Sequence, residues 1–234
     1  MRDSIKDELY FNNYLIKNSE LLAKLKKGLQ NSQGDKDKEG RYFSAMVFLE
    51  FRLLKAFYSA GNPVNDIKSL FEELLNEIPV FWNANSSICD IYDVLSLAIL
   101  FKCDKSKLIR IFNLLDSTNR NDALTDFYKK YITEKIIEAR GKTSYGYPYD
   151  NLLDIVNDQT KDSFLQIKNY LTKDWYKGHK QAFWYNSHKK EDSYFGYWSF
   201  EAGAVAKILG IDDSGLKNVP YYPYDLVHYC NKKA

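Results

Sequence analysis

Several side chains on which protein chemistry commonly depends are scarce in this sequence. It has only three cysteines, Cys89, Cys103 and Cys230, an odd number with no C-x-x-C pair. That excludes a disulfide framework and fits a reducing compartment, with each thiol a small apolar side chain. Histidine is as rare: His179 and His188 lie nine residues apart, and the single His-x-Cys at 228–230 has no partners at the spacing of a tetrahedral site, so no metal is expected. G-x-S-x-G and H-E-x-x-H are both missing. Gly141-Lys142-Thr143 matches the tail of a P-loop, but Ile136 stands where its first glycine should be, inside a helical pattern with no strand before it. A glycine C-cap after Arg140 explains that tripeptide. No catalytic residue and no cofactor are therefore expected. The longest uncharged apolar stretch, Val94 to Phe101, falls far short of the roughly 18 residues of a membrane span. Met1 to Tyr14 carries Asp3, Asp7 and Glu8 and has no apolar h-region, so the expected location is cytoplasmic.

Charge of one sign is not in excess either. The 33 Lys and Arg against 31 Asp and Glu give +2, split as 17 basic and 16 acidic up to residue 120 and 16 and 15 beyond it. A nucleic-acid binder draws most of its affinity from phosphate neutralisation and shows a basic excess, so direct nucleic-acid binding is not expected. With 45% hydrophobic and 27% charged residues in 234, the chain has an ordinary globular composition and enough length to bury a core without a metal or disulfide.

What is present is helical periodicity. Ile67, Leu70, Phe71, Leu74, Leu75 and Ile78 fall at i, i+3, i+4, i+7, i+8 and i+11, one buried face of one helix. Asn62-Pro63 reads as its start and Pro79 as its end. Tyr42 to Tyr58 is apolar on most sides, as a centrally packed helix is, and Gly61 closes it. The pattern predicts helices near 3–28, 40–60, 64–80, 87–101, 105–116, 121–140, 150–157, 161–177, 196–209 and 224–230, an all-α protein of packed antiparallel helices. Residues 28–38 and 141–149 are polar or Gly/Pro-bearing breaks. Five of the 19 tyrosines precede residue 121. That asymmetry places a boundary near Asn119-Arg120-Asn121, with an N-terminal helical domain over 1–120 and an aromatic-rich C-terminal one over 121–234.

Two acidic groupings stand out. Asp150, Asp154, Asp158 and Asp162 recur every four residues, which on one helix would stack like charges. Asn157 to Thr160 instead reads as a turn, with Asp150 capping the helix before it and Asp158 or Thr160 the helix after it. Between Gly61 and Phe101 lie Asp66, Glu72, Glu73, Glu77, Asp90 and Asp93 against Lys68 alone, a local charge of −5. Glu72, Glu73 and Glu77 fall off the apolar face and are expected in solvent. Together with Asp150 and Asp154, this group is the candidate landing surface for a basic partner.

The most distinctive segment runs from Tyr194 to Leu226. Its helix carries Ala202, Gly203, Ala204 and Ala206, small residues that allow close approach, and Gly210 ends it. Glu201 is a charge in an otherwise apolar helix interior, and if buried it must be hydrogen-bonded, with Tyr222 and Tyr224 as plausible donors. The pattern Gly196-Tyr-Trp-Ser-Phe-Glu-Ala, then Leu209-Gly-Ile-Asp-Asp-Ser, then Pro220-Tyr-Tyr-Pro-Tyr-Asp-Leu, preceded by Phe183-Trp-Tyr-Asn-Ser-His188, resembles the PoNi-like immunity proteins, the cognate antidotes of the polymorphic nuclease effector (PoNe) toxins. Gly203 stands where many of that family have alanine. The resemblance implies a helical cytoplasmic protein that binds and neutralises an interbacterial DNase toxin and performs no chemistry itself. It marks Tyr197, Trp198, Glu201, Asp212, Asp213, Tyr222, Pro223 and Asp225 as motif residues with a structural role. Two alternatives stay open: an enzyme in which Glu201, Asp212, Asp213 and His188 converge in a pocket, and a helical adaptor with no toxin.

Overall fold

The computed structural model describes residues 1–82, 86–118, 121–135, 141–158 and 162–230. The expected boundary residues Asn119 and Arg120, the helix expected over 136–140 with Ile136 and Arg140, and the candidate cap Thr160 lie outside them. The protein is all-α. Its elements are α1 (Glu8–Asn31), α2 (Lys36–Ala60), α3 (Val64–Phe81), α4 (Ile88–Leu100), α5 (Lys105–Ser117), α6 (Ala123–Thr133), α7 (Tyr149–Asn157), α8 (Ser163–Asn169), a π-helical turn (Tyr170–Trp175) running into α9 (Tyr176–Gly178), α10 (Phe200–Leu209) and α11 (Tyr224–Val227), with short 3₁₀ turns at Ser187–Lys189 and Ser214–Leu216. No strand occurs among the described residues.

Short polar side chains start these helices by accepting from otherwise orphaned first-turn N–H groups. Asp7, Asp35, Ser87, Asp104, Asp122 and Asp162 do so for α1, α2, α4, α5, α6 and α8. Asp162 thus takes the place expected of Asp158, which ends α7 instead. The break after α1 is shorter than its composition suggested, only residues 32–35. For α3 the N-cap is Pro63 rather than Asn62, and Pro79 lies inside the last turn. The helix survives that proline because Ile78 and Trp82 are buried on either side of it, and the Trp82 N–H reaches the Ile78 carbonyl at 2.9 Å. Gly61 and Gly210 close α2 and α10 in the left-handed conformation.

The chain forms two compact units. The first is Met1–Trp82 with Asn186–Tyr197. In it α1, α2 and α3 pack through Phe11, Leu54, Tyr58, Phe71 and Leu75. The distant segment is tied on by Tyr10, whose hydroxyl donates to the Tyr194 carbonyl at 2.9 Å and accepts from the Tyr194 N–H at 3.0 Å. Ser59 donates to the Phe195 carbonyl at 3.1 Å, and Tyr194 donates to Asp3.

The second unit is Asn83–Tyr185 with Trp198–Ala234. Its central element is α10, packed against α4, α7 and α11. Small residues make that possible. A Cβ on Gly203 would stand 2.8 Å from Pro223 Cγ and 3.1 Å from Val227 Cγ2, so only glycine lets α11 lie this close. Because the proline ring cannot rotate away, Gly203→Ala should cost about 1–3 kcal/mol of overpacking strain. Chemical denaturation measures it, and wild-type stability would mean that α11 yields freely.

Candidate functional site

Glu201 is 1% exposed, in the first turn of α10. Three donors converge on its Oε1: the Trp175 indole N–H at 2.5 Å, the Ser199 hydroxyl at 2.8 Å and the Tyr170 hydroxyl at 3.1 Å. Tyr170 and Trp175 are five residues apart. On an α-helix that spacing turns side chains about 140° away from each other, whereas a π-helical turn brings i and i+5 close to one face. The stretch Tyr170–Trp175 is that π-helical turn, and the convergence on Glu201 is its physical reason. The Glu201 carbonyl accepts from the Tyr128 hydroxyl at 3.5 Å, and Tyr128 in turn accepts from Ser96 at 3.0 Å. Burial pushes the Glu201 carboxyl up to about 7, with Asp93 on α4 adding to the rise while Ser199 and Tyr170 oppose it.

The donors are not those the sequence suggested. Tyr222 donates to Asp213 at 2.6 Å, an aspartate also held by His228 Nε2 at 3.2 Å. Asp212 accepts from the Ser214 N–H at 3.1 Å, and Asp225 is exposed in the first turn of α11. Pro223 is the buried ring against Gly203, and Trp198 is half-buried. Asp213 and Glu201 therefore belong to separate hydrogen-bond sets. Tyr197 and His188 lie in the first unit, where the Tyr197 hydroxyl meets His188 Nδ1 at 2.9 Å and the Ser187 hydroxyl at 3.2 Å. Burial holds His188 below its ordinary value.

Nothing in local spacing marked Tyr170, Trp175 or Ser199 as partners of Glu201. Asp122, also missed, joins the second unit's chain breaks: besides capping α6 it accepts from Tyr92 at 2.5 Å and from both the Ser144 N–H and hydroxyl at 2.7 Å. His179 is buried between the Tyr149 hydroxyl at 2.9 Å and the Trp175 carbonyl at 2.6 Å.

The acidic candidates divide. Asp66, Glu73 and Asp154 are exposed. Glu72 is half-buried and paired with Lys68 at 2.7 Å. Glu77, expected in solvent, is half-buried and faces Glu50 on α2, which Lys26 holds at 2.9 Å. Burial and the neighbouring Glu50 charge push Glu77 up to about 7, and its Oε2 has no hydrogen-bond partner among the described residues. Asp150 accepts from the Thr143 N–H at 3.0 Å and hydroxyl at 2.7 Å, fixing the 141–148 loop. Asp90 and Asp93 are half-buried on α4. No group of three His, Cys, Asp or Glu suited to a metal occurs among the described residues.

Two family models cover almost the whole chain. The one for PoNe immunity proteins (PoNi), N-terminal, matches residues 2–113, and the one for PoNe immunity proteins (PoNi), C-terminal, matches residues 120–226. The chain belongs to the PoNe immunity proteins. A crystal structure of protein PA2201 from Pseudomonas aeruginosa has the same fold, with TM-score 0.72 and 15% identity over 97% of this chain and 89% of that one. No curated protein matches significantly. In this PoNi chain the Glu201 network lies in the C-terminal match, so the family motif coincides with the internal bonding of α10.

The proton on Glu201 gives a pH signature. Its folded value of about 7 exceeds the 4.5 of a free glutamate, so between these limits only the folded chain holds the proton. Its contribution to stability is complete below about 4.5 and is lost as pH rises through 7, at a slope of at most about 1.4 kcal/mol per pH unit. Glu201→Gln keeps an oxygen for the three donors, so the stability difference between wild type and this variant should move in the variant's favour from pH 4.5 to 7. Urea midpoints measured across that range test it, and a constant difference would refute it. Glu201→Ala, which orphans three buried donors, should cost about 1–3 kcal/mol or more at any pH.

Proposed function

We propose that this PoNi chain acts in the cytoplasm by binding a cognate PoNe toxin, a DNase, and neutralising it without chemistry of its own. The observation that carries the reading is the pair of family models, immunity proteins in both halves of the chain. The state of Glu201, the most deeply buried carboxylate of the family motif, supports it. Glu201 has its Oε1 occupied by Trp175, Ser199 and Tyr170 at 1% exposure, which suits an internal brace better than a general acid open to substrate. Under this reading six of the eight candidate carboxylates, Asp66 to Asp93, precede the boundary expected near residue 120, and most of the tyrosines that could serve as anchors follow it.

A nuclease that grips DNA phosphates presents Lys and Arg, and a partner of net charge +2 must meet them with local carboxylates. Of the group Asp66, Glu72, Glu73, Glu77, Asp90, Asp93, Asp150 and Asp154, the ones with free reach are the exposed Asp66 and Glu73 in the first unit and Asp154 in the second. Charge pairs across an interface raise the association rate and weaken with salt. Asp66→Lys combined with Glu73→Lys should therefore slow toxin association several-fold at low salt, flatten its salt dependence, and leave the fold intact because neither side chain is buried. Stopped-flow association of the inactivated toxin at two ionic strengths measures this. Rates equal to wild type would remove α3 from the interface, and failure of the wild-type chain to bind or protect would defeat the whole reading.

A further inference from the structure

The stretch after α8 carries a surface that the internal network does not use. Tyr185 stacks on Tyr176 with ring centroids 4.6 Å apart and planes 28° apart, and Tyr221 stacks on Tyr176 at 5.9 Å and 14°. Tyr221 then meets Trp175 at 4.8 Å, and Trp175 stacks on Trp184 at 5.4 Å and 22°. This column of rings begins at the Glu201 carboxylate, through the Trp175 indole, and ends at half-exposed Tyr176 and Tyr185. Phe183, two residues before Tyr185, is 54% exposed.

The charge beside these rings has one sign. Residues 163–185 hold four lysines and one aspartate. That aspartate, Asp174, is engaged by the Tyr147 hydroxyl and the Asn151 amide, each at 3.1 Å. Lys173, Lys177 and Lys180 are all exposed, and none has an ion-pair partner among the described residues. Tyr221 is held at φ 68°, a left-handed conformation that tyrosine rarely adopts, and it is this backbone that places its ring against Tyr176.

We propose that Phe183, Tyr176 and Tyr185, flanked by Lys173, Lys177 and Lys180, form a docking face for an acidic segment of the toxin. The inference rests on the reading under Proposed function and adds to it a second contact, of opposite charge to the carboxylates of α3. Large, pre-organised aromatic rings anchor interfaces at low entropic cost, and lysines around them select an acidic partner. A single-stranded nucleic acid fits less well. Tyr176 already stacks with two protein rings, and three lysines on a chain of net +2 give little phosphate neutralisation.

The test uses the full chain and its cognate PoNe toxin inactivated in the nuclease centre, with binding followed by surface kinetics. Phe183→Ala and the double variant Phe183→Ala/Tyr185→Ala should raise the dissociation rate about tenfold or more and leave association nearly unchanged. The triple variant Lys173→Glu/Lys177→Glu/Lys180→Glu should slow association several-fold at low salt and less at high salt. All three side chains are exposed, so it reports even if Tyr185→Ala fails to fold. Wild-type kinetics in Phe183→Ala and in the lysine variant would overturn the inference while leaving the immunity reading standing. A wild-type chain that does not bind the toxin would overturn both. Binding of a labelled single-stranded oligonucleotide by the wild type, lost in the lysine variant with toxin kinetics unaltered, would assign the face to nucleic acid and overturn it as well.

Discussion

One carboxylate oxygen sets the geometry of the second unit. Burying a charged or chargeable group among apolar helices is tolerated only when its hydrogen-bonding capacity is met. Glu201 meets it with three donors on a single atom, drawn from the π-helical turn and from the residue just before α10. Each donor is placed at a structural cost. Tyr170 and Trp175 require the π turn, a rare and locally poorer helix. Ser199 is positioned by its own N–H, which donates to the Tyr221 carbonyl at 2.8 Å, and Tyr221 sits in left-handed backbone. The motif segments around Glu201 and Tyr221 are thus mechanically one device, although twenty residues separate them.

The first unit holds its distant segment differently. The segment is joined through side-chain hydroxyls and main-chain carbonyls, Tyr10 to Tyr194 and Ser59 to Phe195, and the buried Lys55 ammonium lies over the Phe195 ring, 5.7 Å from its centroid. Arg2 adds a cation at the end of α2, donating to the Tyr58 carbonyl at 3.2 Å and the Asn62 carbonyl at 2.8 Å, where the helix dipole favours positive charge. Each unit thus holds one carboxyl pushed up to about 7, Glu201 fully buried in the second and Glu77 half-buried in the first.

Helices were legible because their apolar period is a local property, and so were the caps at Gly61 and Gly210. The motif segment was legible enough to indicate the family. What escaped was set by contacts distant in sequence. The π turn is written in no local pattern, since Tyr170 and Trp175 look like ordinary core residues until Glu201 is placed between them. Pro79 signalled an end that buried Ile78 and Trp82 override. The membership of Asn186–Tyr197 in the first unit depends on pairings some 180 residues apart, such as Tyr10 with Tyr194. Glu77 lies off the apolar stripe, yet the neighbouring helix supplies Glu50 at that position, which no reading of α3 alone could reveal.

That last difference bears on recognition. Counting residues gives the stretch from Gly61 to Phe101 a charge of −5, but a partner approaching in physiological salt responds only to charges within about 8 Å of it that are both ionised and unpaired. Glu72 is offset by Lys68, and Glu77 at a value of about 7 is partly neutral at physiological pH. On α3 the effective acidic surface shrinks to Asp66 and Glu73. A field that small steers weakly, so under the binding role proposed above affinity would come from desolvated anchors more than from long-range attraction. Among the described residues the most exposed aromatic ring is Phe183, at 54%, in the second unit and in a stretch richer in lysines than in carboxylates. Under that binding role, matching patches of both signs would give specificity without an extended negative surface that other DNA-binding proteins would also bind.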